Sequence, residues 1–114
     1  MKAFAVSTTH HEEGIVLQFE GELDASSCIL ADQALEEAIA LTTKSLLLDC
    51  TRLHYISSAG LGVLLAAFQA CSLKSMDFIL FGMTPKIKNV FEILGLERII
   101  KTAGSLEEAK QLVS

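Results

Sequence analysis

The sequence predicts an α/β fold, a small mixed and mostly parallel β-sheet with about four α-helices, in one domain over 1–114. Three observations carry this. Strand-like and helix-like patterns alternate along most of the chain. The runs Leu46-Leu47-Leu48 and Phe78-Ile79-Leu80-Phe81 are apolar on both sides, as strands covered by helices on both faces must be. Half of the 114 residues are hydrophobic (51%) with charges spread between them, enough to bury a core without disulfides or metals.

The elements follow in order. Lys2 to Thr9 alternates weakly, with Phe4 and Val6 on one side, and reads as an edge strand. Gly14 marks a turn, and Ile15, Leu17 and Phe19 then share one face of a second strand, which completes a hairpin. Gly21-Glu22-Leu23-Asp24 breaks that strand. Ser26 or Ser27 caps a helix running to about Leu41, with Cys28, Ala31, Leu35, Ala38 and Ile39 inward and Asp32, Gln33, Glu36 and Glu37 outward. Ser45 to Cys50 is a central parallel strand, and Thr51 to Ser57 is a loop. The second helix spans Ala59 to Leu73, with Leu61, Leu64, Leu65, Phe68 and Ser72 at helical spacing. Asp77 to Phe81 is a buried strand ended by Gly82. Thr84 caps the third helix, Pro85 fits its first turn, Gly95 ends it, and Ile87, Val90, Phe91 and Leu94 form its inner face. Ile99-Ile100 adds a short strand. Ser105 and Glu108 form a capping box for a last helix with Leu106, Ala109, Leu112 and Val113 inward.

Parallel strands place the loops that leave them at one edge. Gly21–Asp24, Tyr55–Gly62 and Gly82–Thr84 are therefore expected to converge. In the middle of this set stands Ile56-Ser57-Ser58-Ala59-Gly60-Leu61-Gly62, which puts two hydroxyls at a helix start. One of Ser57 and Ser58 serves as an N-cap there. Free N–H groups at such a position also accept negative charge.

Other chemistry finds little support. The formal charge of −5 gives no general attraction to nucleic acid or to anionic membranes, so no direct nucleic-acid binding is expected. Cys28, Cys50 and Cys71 are odd in number and match no zinc spacing, which reads as free thiols in a cytoplasmic protein. No secretory h-region opens the chain. The uncharged stretch Tyr55 to Leu73 is interrupted by two Ser at its start, Gly60, Gly62, Gln69 and Ser72, so no membrane insertion is expected. Serine hydrolases need Gly-x-Ser-x-Gly, whereas position 56 is Ile. No Gly-Lys-[Ser/Thr] follows Gly60-Leu61-Gly62, as a phosphate loop would require. His10-His11-Glu12-Glu13 reads as a solvated strand-turn end. No metal, no cofactor and no catalytic residue is expected, and the chain is read as a non-enzyme.

Several segments in order resemble one family. They are Phe19-Glu20-Gly21-Glu22-Leu23-Asp24-Ala25, Leu47-Leu48-Asp49, Tyr55-Ile56-Ser57-Ser58-Ala59-Gly60-Leu61-Gly62-Val63-Leu64, the Gly82 break, and Phe91-Glu92-Ile93-Leu94-Gly95-Leu96. Together they resemble the STAS domain family, in particular its anti-sigma factor antagonists. Family antagonists carry a phosphorylatable serine, usually preceded by Asp and followed two residues later by Gly. The resemblance places that serine at Ser58, with Ser57 as second choice because it stands where many relatives have Asp. Asp24 matches an acidic family position near the phosphosite.

The resemblance implies an anti-sigma factor antagonist that binds an anti-sigma factor of the serine-kinase type when unphosphorylated. Phosphorylation at Ser58 would end the interaction, and a serine phosphatase would restore it. Asp24, Ser57, Ala59, Gly60, Gly62, Val63 and Ala66 are the expected partner-binding residues. The outer face of the second helix is read as Gly62, Val63, Ala66, Ala67, Gln69 and Ala70, all uncharged. The alternative within the same fold is a soluble subunit of a transport complex or a signalling scaffold.

Overall fold

In the computed structural model, which describes residues 3–42 and 44–113, the chain opens with the expected hairpin. Strand β1 (Ala5–His11) pairs antiparallel with β2 (Gly14–Leu23), placing Val6 opposite Phe19 and Thr9 opposite Val16. The predicted strand start at Lys2 lies outside the described residues. Helix α1 (Cys28–Leu41) then leads to β3 (Ser45–Ile56), α2 (Ser58–Leu73) to β4 (Asp77–Phe81), and α3 (Pro85–Leu94) with a 3-10 turn (Leu96–Arg98) to β5 (Lys101–Ala103). Helix α4 (Leu106–Gln111) closes the described chain.

Among the described residues the five strands lie in the order β1-β2-β3-β4-β5, with β2 to β5 parallel. The sheet thus grows in one direction, and successive crossovers of one hand deposit α1, α2 and α3 on one face. The main core confirms this layer: Ile15, Leu17, Phe19, Leu46, Leu48, Phe78 and Leu80 of the sheet pack with Ala31, Leu35, Leu64, Ile87 and Phe91 of the three helices. The alternate residues Val16, Leu47, Ile79 and Phe81 face the other way, against Ala109 of α4. This two-sided cover explains the apolar Leu46-Leu47-Leu48 run.

Several boundaries differ from the sequence reading. Gly21–Asp24 does not break β2 at Gly21; the strand continues to Leu23, with Gly21 at φ +103° and a register shift beside it. Thr51–Ser57 is not a loop through most of its length. β3 runs to Ile56 alongside β2, with shifts between Gln18/Glu20 and Gly21/Glu22. Each shift places an extra β3 residue against β2, as β-bulges do. These bulges turn the alternation into Leu53 and Ile56 buried with the pairs between exposed. That three-residue spacing hides a strand from a period-two search.

The last strand forms at Lys101–Ala103, directly after Ile99-Ile100 and not on that pair; Ile99 is exposed and Ile100 packs in the core below the 3-10 turn. Leu94 and Leu112, expected inward, are exposed at the ends of short helices. In α2 the inner face is Gly60, Leu64, Ala67 and Cys71, so Ala67 turns inward and Ser72 outward. A helix apolar nearly all round gives no sequence signal of which stripe faces the sheet.

Candidate functional site

Two loops meet where β2 and β3 end. Leu23 pairs with Ile56, and the residue that follows β3, Ser57, donates its backbone N–H to the Leu23 carbonyl at 2.9 Å. That bond sets the start of α2 directly beside the turn that begins at Asp24. Gly60 makes the close approach feasible. A Cβ there would stand 2.7 Å from the Leu23 carbonyl oxygen and 2.8 Å from its Cγ. Gly60 is buried, so among the expected partner-binding residues it supports the site from beneath instead of presenting surface.

The structure divides the two serines by role. Ser57 is the N-cap of α2: its backbone is extended and its Oγ accepts the Gly60 N–H at 3.2 Å. Its carbonyl accepts the Leu61 N–H at 2.9 Å. Ser58 is the first helical residue and is exposed, with no hydrogen bond of its hydroxyl among the described residues. The N–H groups of Ser58 and Ala59 lie in the turn that has no intrahelical acceptors. The first turn of α2 contains no acidic side chain. An anion borne on Ser58 would therefore meet a helix N-terminus whose charge is not already compensated from within the helix.

On the opposite side of the site, Asp24 is the hub of a turn. Its Oδ1 accepts the Ser26 hydroxyl at 2.6 Å and the Ser26 N–H at 2.9 Å. The Ser26 hydroxyl, with backbone help from Ser26 and Ser27, holds the Asp24 carboxyl below its ordinary value. Ser27, the residue before α1, is buried. Its hydroxyl accepts the Asp24 N–H at 3.0 Å and donates to the Glu22 carbonyl at 2.8 Å. The carboxylate is thus oriented locally, at the end of the strand bonded to Ser57.

Between the helices an open groove of about 380 Å³ begins one residue from Ser58. Ala59, Gly62, Val63 and Ala66 of α2 line one wall, and Cys28, Ile29 and Asp32 of α1 the other. Four of the expected partner-binding residues therefore share one surface. The α1 wall was missed in the sequence. Its signal is Ile29, an apolar residue at i−3 and i−4 from the polar pair Asp32 and Gln33, on the face read as solvated; it is 73% exposed. Asp32 supplies a carboxylate to an otherwise apolar rim.

The third loop is farther away than expected. β4 ends where Phe81 pairs with Asp49, so Gly82 lies against Thr51, several residues short of Ser57 along β3. Its segment approaches the edge through Lys86, whose Nζ lies 5.9 Å from the Tyr55 ring centroid.

Of the three thiols, Cys28 alone lines the groove, and the other two lie in the core. Cys50 and Cys71 are buried free thiols, and burial pushes Cys71 up to about 11 and Cys50 higher still. Cys28 is half-buried, also raised by burial. Among the described residues no three His, Cys, Asp or Glu side chains are grouped to hold a metal ion. Among them also, no helix is long and apolar enough to cross a membrane.

Comparisons with known proteins agree with this architecture. A family model described as STAS domain matches residues 5–109. A Listeria monocytogenes protein named anti-sigma-B factor antagonist is 35% identical over 81 residues, covering 71% of each chain. The fold is shared with the crystal structure of an anti-sigma factor antagonist from Mycobacterium paratuberculosis, at TM-score 0.84 and 18% identity over 97% of this chain and 94% of that one. It is shared too with the Bacillus cell fate determinant SpoIIAA in its phosphorylated form, at TM-score 0.70 and 24% identity over 96% and 97% of the two chains. With the matched residues running from the first strand into the last helix, the chain belongs to the STAS domain family.

Proposed function

We propose that this protein is an anti-sigma factor antagonist that acts by partner switching. Unphosphorylated, it binds an anti-sigma factor of the serine-kinase type and so releases a sigma factor. The kinase phosphorylates Ser58 and ends the interaction, and a serine phosphatase restores it. The observation that carries this reading is the pairing of Ser58 with the groove. An exposed, unengaged hydroxyl at the first position of a helix stands at the rim of an apolar surface formed by Ala59, Gly62, Val63, Ala66 and Ile29. The names of the relatives support the same role.

The chemistry follows from where charge is tolerated. A phosphoserine adds nearly two negative charges. At the α2 N-terminus the dipole and the free N–H groups favour them by about 0.3–1 kcal/mol, so the fold survives the modification. A partner covering the groove must desolvate that dianion or repel it, so association weakens while the domain stays folded. Ser57 is the less suited target, because its hydroxyl already holds the helix cap. Asp24 and the α1 wall complete the contact surface, and Asp32 favours a basic group on the partner.

The test is phosphorylation by serine-kinase anti-sigma factors with ATP, followed by mapping of the phosphate by mass spectrometry. One phosphate is expected, on Ser58. No phosphate on Ser57 or Ser58 with any kinase that binds the chain would overturn the switch.

A further inference from the structure

The two edges of the sheet are built differently. β5 is three residues long, and its Lys101 pairs with Asp77 at 3.0 Å. β1 is seven residues long and, among the described residues, is paired on one side alone, with β2. Long edges in soluble proteins usually carry a lysine, a proline, an inward charge or a bulge that prevents pairing with another chain. β1 reads Ala5-Val6-Ser7-Thr8-Thr9-His10-His11 and has none of these; its register against β2 is unbroken from Ala5 to His11. Val6, Thr8 and Thr9 are β-branched and suit a strand. Phe4 and Val6 pack on the main core yet remain half exposed on the edge.

We propose that β1 is a self-pairing edge through which two copies of this chain join into one continuous sheet. The strand complements itself. In an antiparallel register centred on Thr8, Ser7 lies opposite Thr9, Val6 opposite His10, and Ala5 opposite His11. No two charged side chains stand directly opposite each other in this register, and Ser-Thr neighbours are a favourable cross-strand pair. The two-fold arrangement uses the same surface on both copies and closes at two, so it forms a dimer and not a fibre. The second copy also covers the half-exposed Val6. The pairing rests on the edge alone and is independent of the Ser58 switch.

Sedimentation velocity of the full chain over a micromolar to submillimolar series tests it. The mass is expected to rise from one chain to two, with no larger species. Ser7→Lys combined with Thr9→Lys puts cations on an exposed side of β1 and should abolish the dimer while circular dichroism stays unchanged. A wild-type chain that is monomeric throughout would overturn the proposal, as would a folded double variant that still dimerises. Hydrogen exchange on the wild type is the check that needs no variant. The β1 amides should gain protection as concentration rises, and concentration-independent exchange there would equally overturn it.

Discussion

At the scale of single residues, the decisive distinction is between neighbouring serines. Ser57 uses its hydroxyl to cap α2, while that of Ser58 has no hydrogen-bond partner among the described residues. Ser57→Ala should therefore cost about 1 kcal/mol in urea unfolding, the usual worth of an N-cap. Ser58→Ala should leave stability within about 0.5 kcal/mol of wild type, as expected of an exposed site. Equal losses in both variants would contradict the assignment. The sequence alone left the cap open between the two, because either hydroxyl could start a helix at Ala59. What decides it is tertiary: the Leu23 carbonyl holds the Ser57 N–H and fixes which residue is the last extended one. Asp24 was legible as a turn residue and as a family match. Its tie to Ser26 and Ser27 needed the folded turn to be seen.

At the scale of elements, α2 explains why a helix carries no charge. Its inner stripe of Gly60, Leu64, Ala67 and Cys71 meets the sheet, and its outer positions Ala59, Gly62 and Ala66 face the groove toward α1. The two glycines of this helix should respond oppositely. Gly60→Ala drives a methyl into the Leu23 backbone and should cost about 1–3 kcal/mol through overpacking. Nothing lies within 4 Å of a Cβ on Gly62, so Gly62→Ala should gain about 0.5–1 kcal/mol from helix propensity. Thermal melts of both variants check the pair. The central apolar strand and α1 were readable from period, α1 without the expected cap, since Ser27 makes no side-chain cap hydrogen bond and its hydroxyl goes to the Glu22 carbonyl instead; α2 and the Pro85-to-Gly95 helix were readable from period and caps. The far half of β3 was not, since its bulges erase the alternation on which strand reading depends. Ile29 escaped for a related reason: a single apolar residue among polar ones looks like ordinary surface until a neighbouring helix makes it one wall of a groove.

At the scale of the whole molecule, the order of strands determines what the site can be. A sheet that grows in one direction stacks α1, α2 and α3 on one face, and the ends of β2 and β3 bring Asp24 and Ser58 to one edge. The fold class, the mostly parallel sheet and the converging loops followed from the alternation of elements. The earlier exit of Gly82 did not, because it depends on β4 being less than half as long as β3. The resulting surface is largely apolar, open and adjacent to the N-terminus of α2, so under the proposed function charge on Ser58 would act on association and not on folding. The most direct test compares the wild type with Ser58→Asp for binding to the kinase anti-sigma factor by calorimetry, with melting temperature measured in parallel. The account predicts an unchanged melt and binding weakened about tenfold or more, equivalent to about 1.4 kcal/mol. Undiminished affinity in a folded Ser58→Asp protein would contradict it.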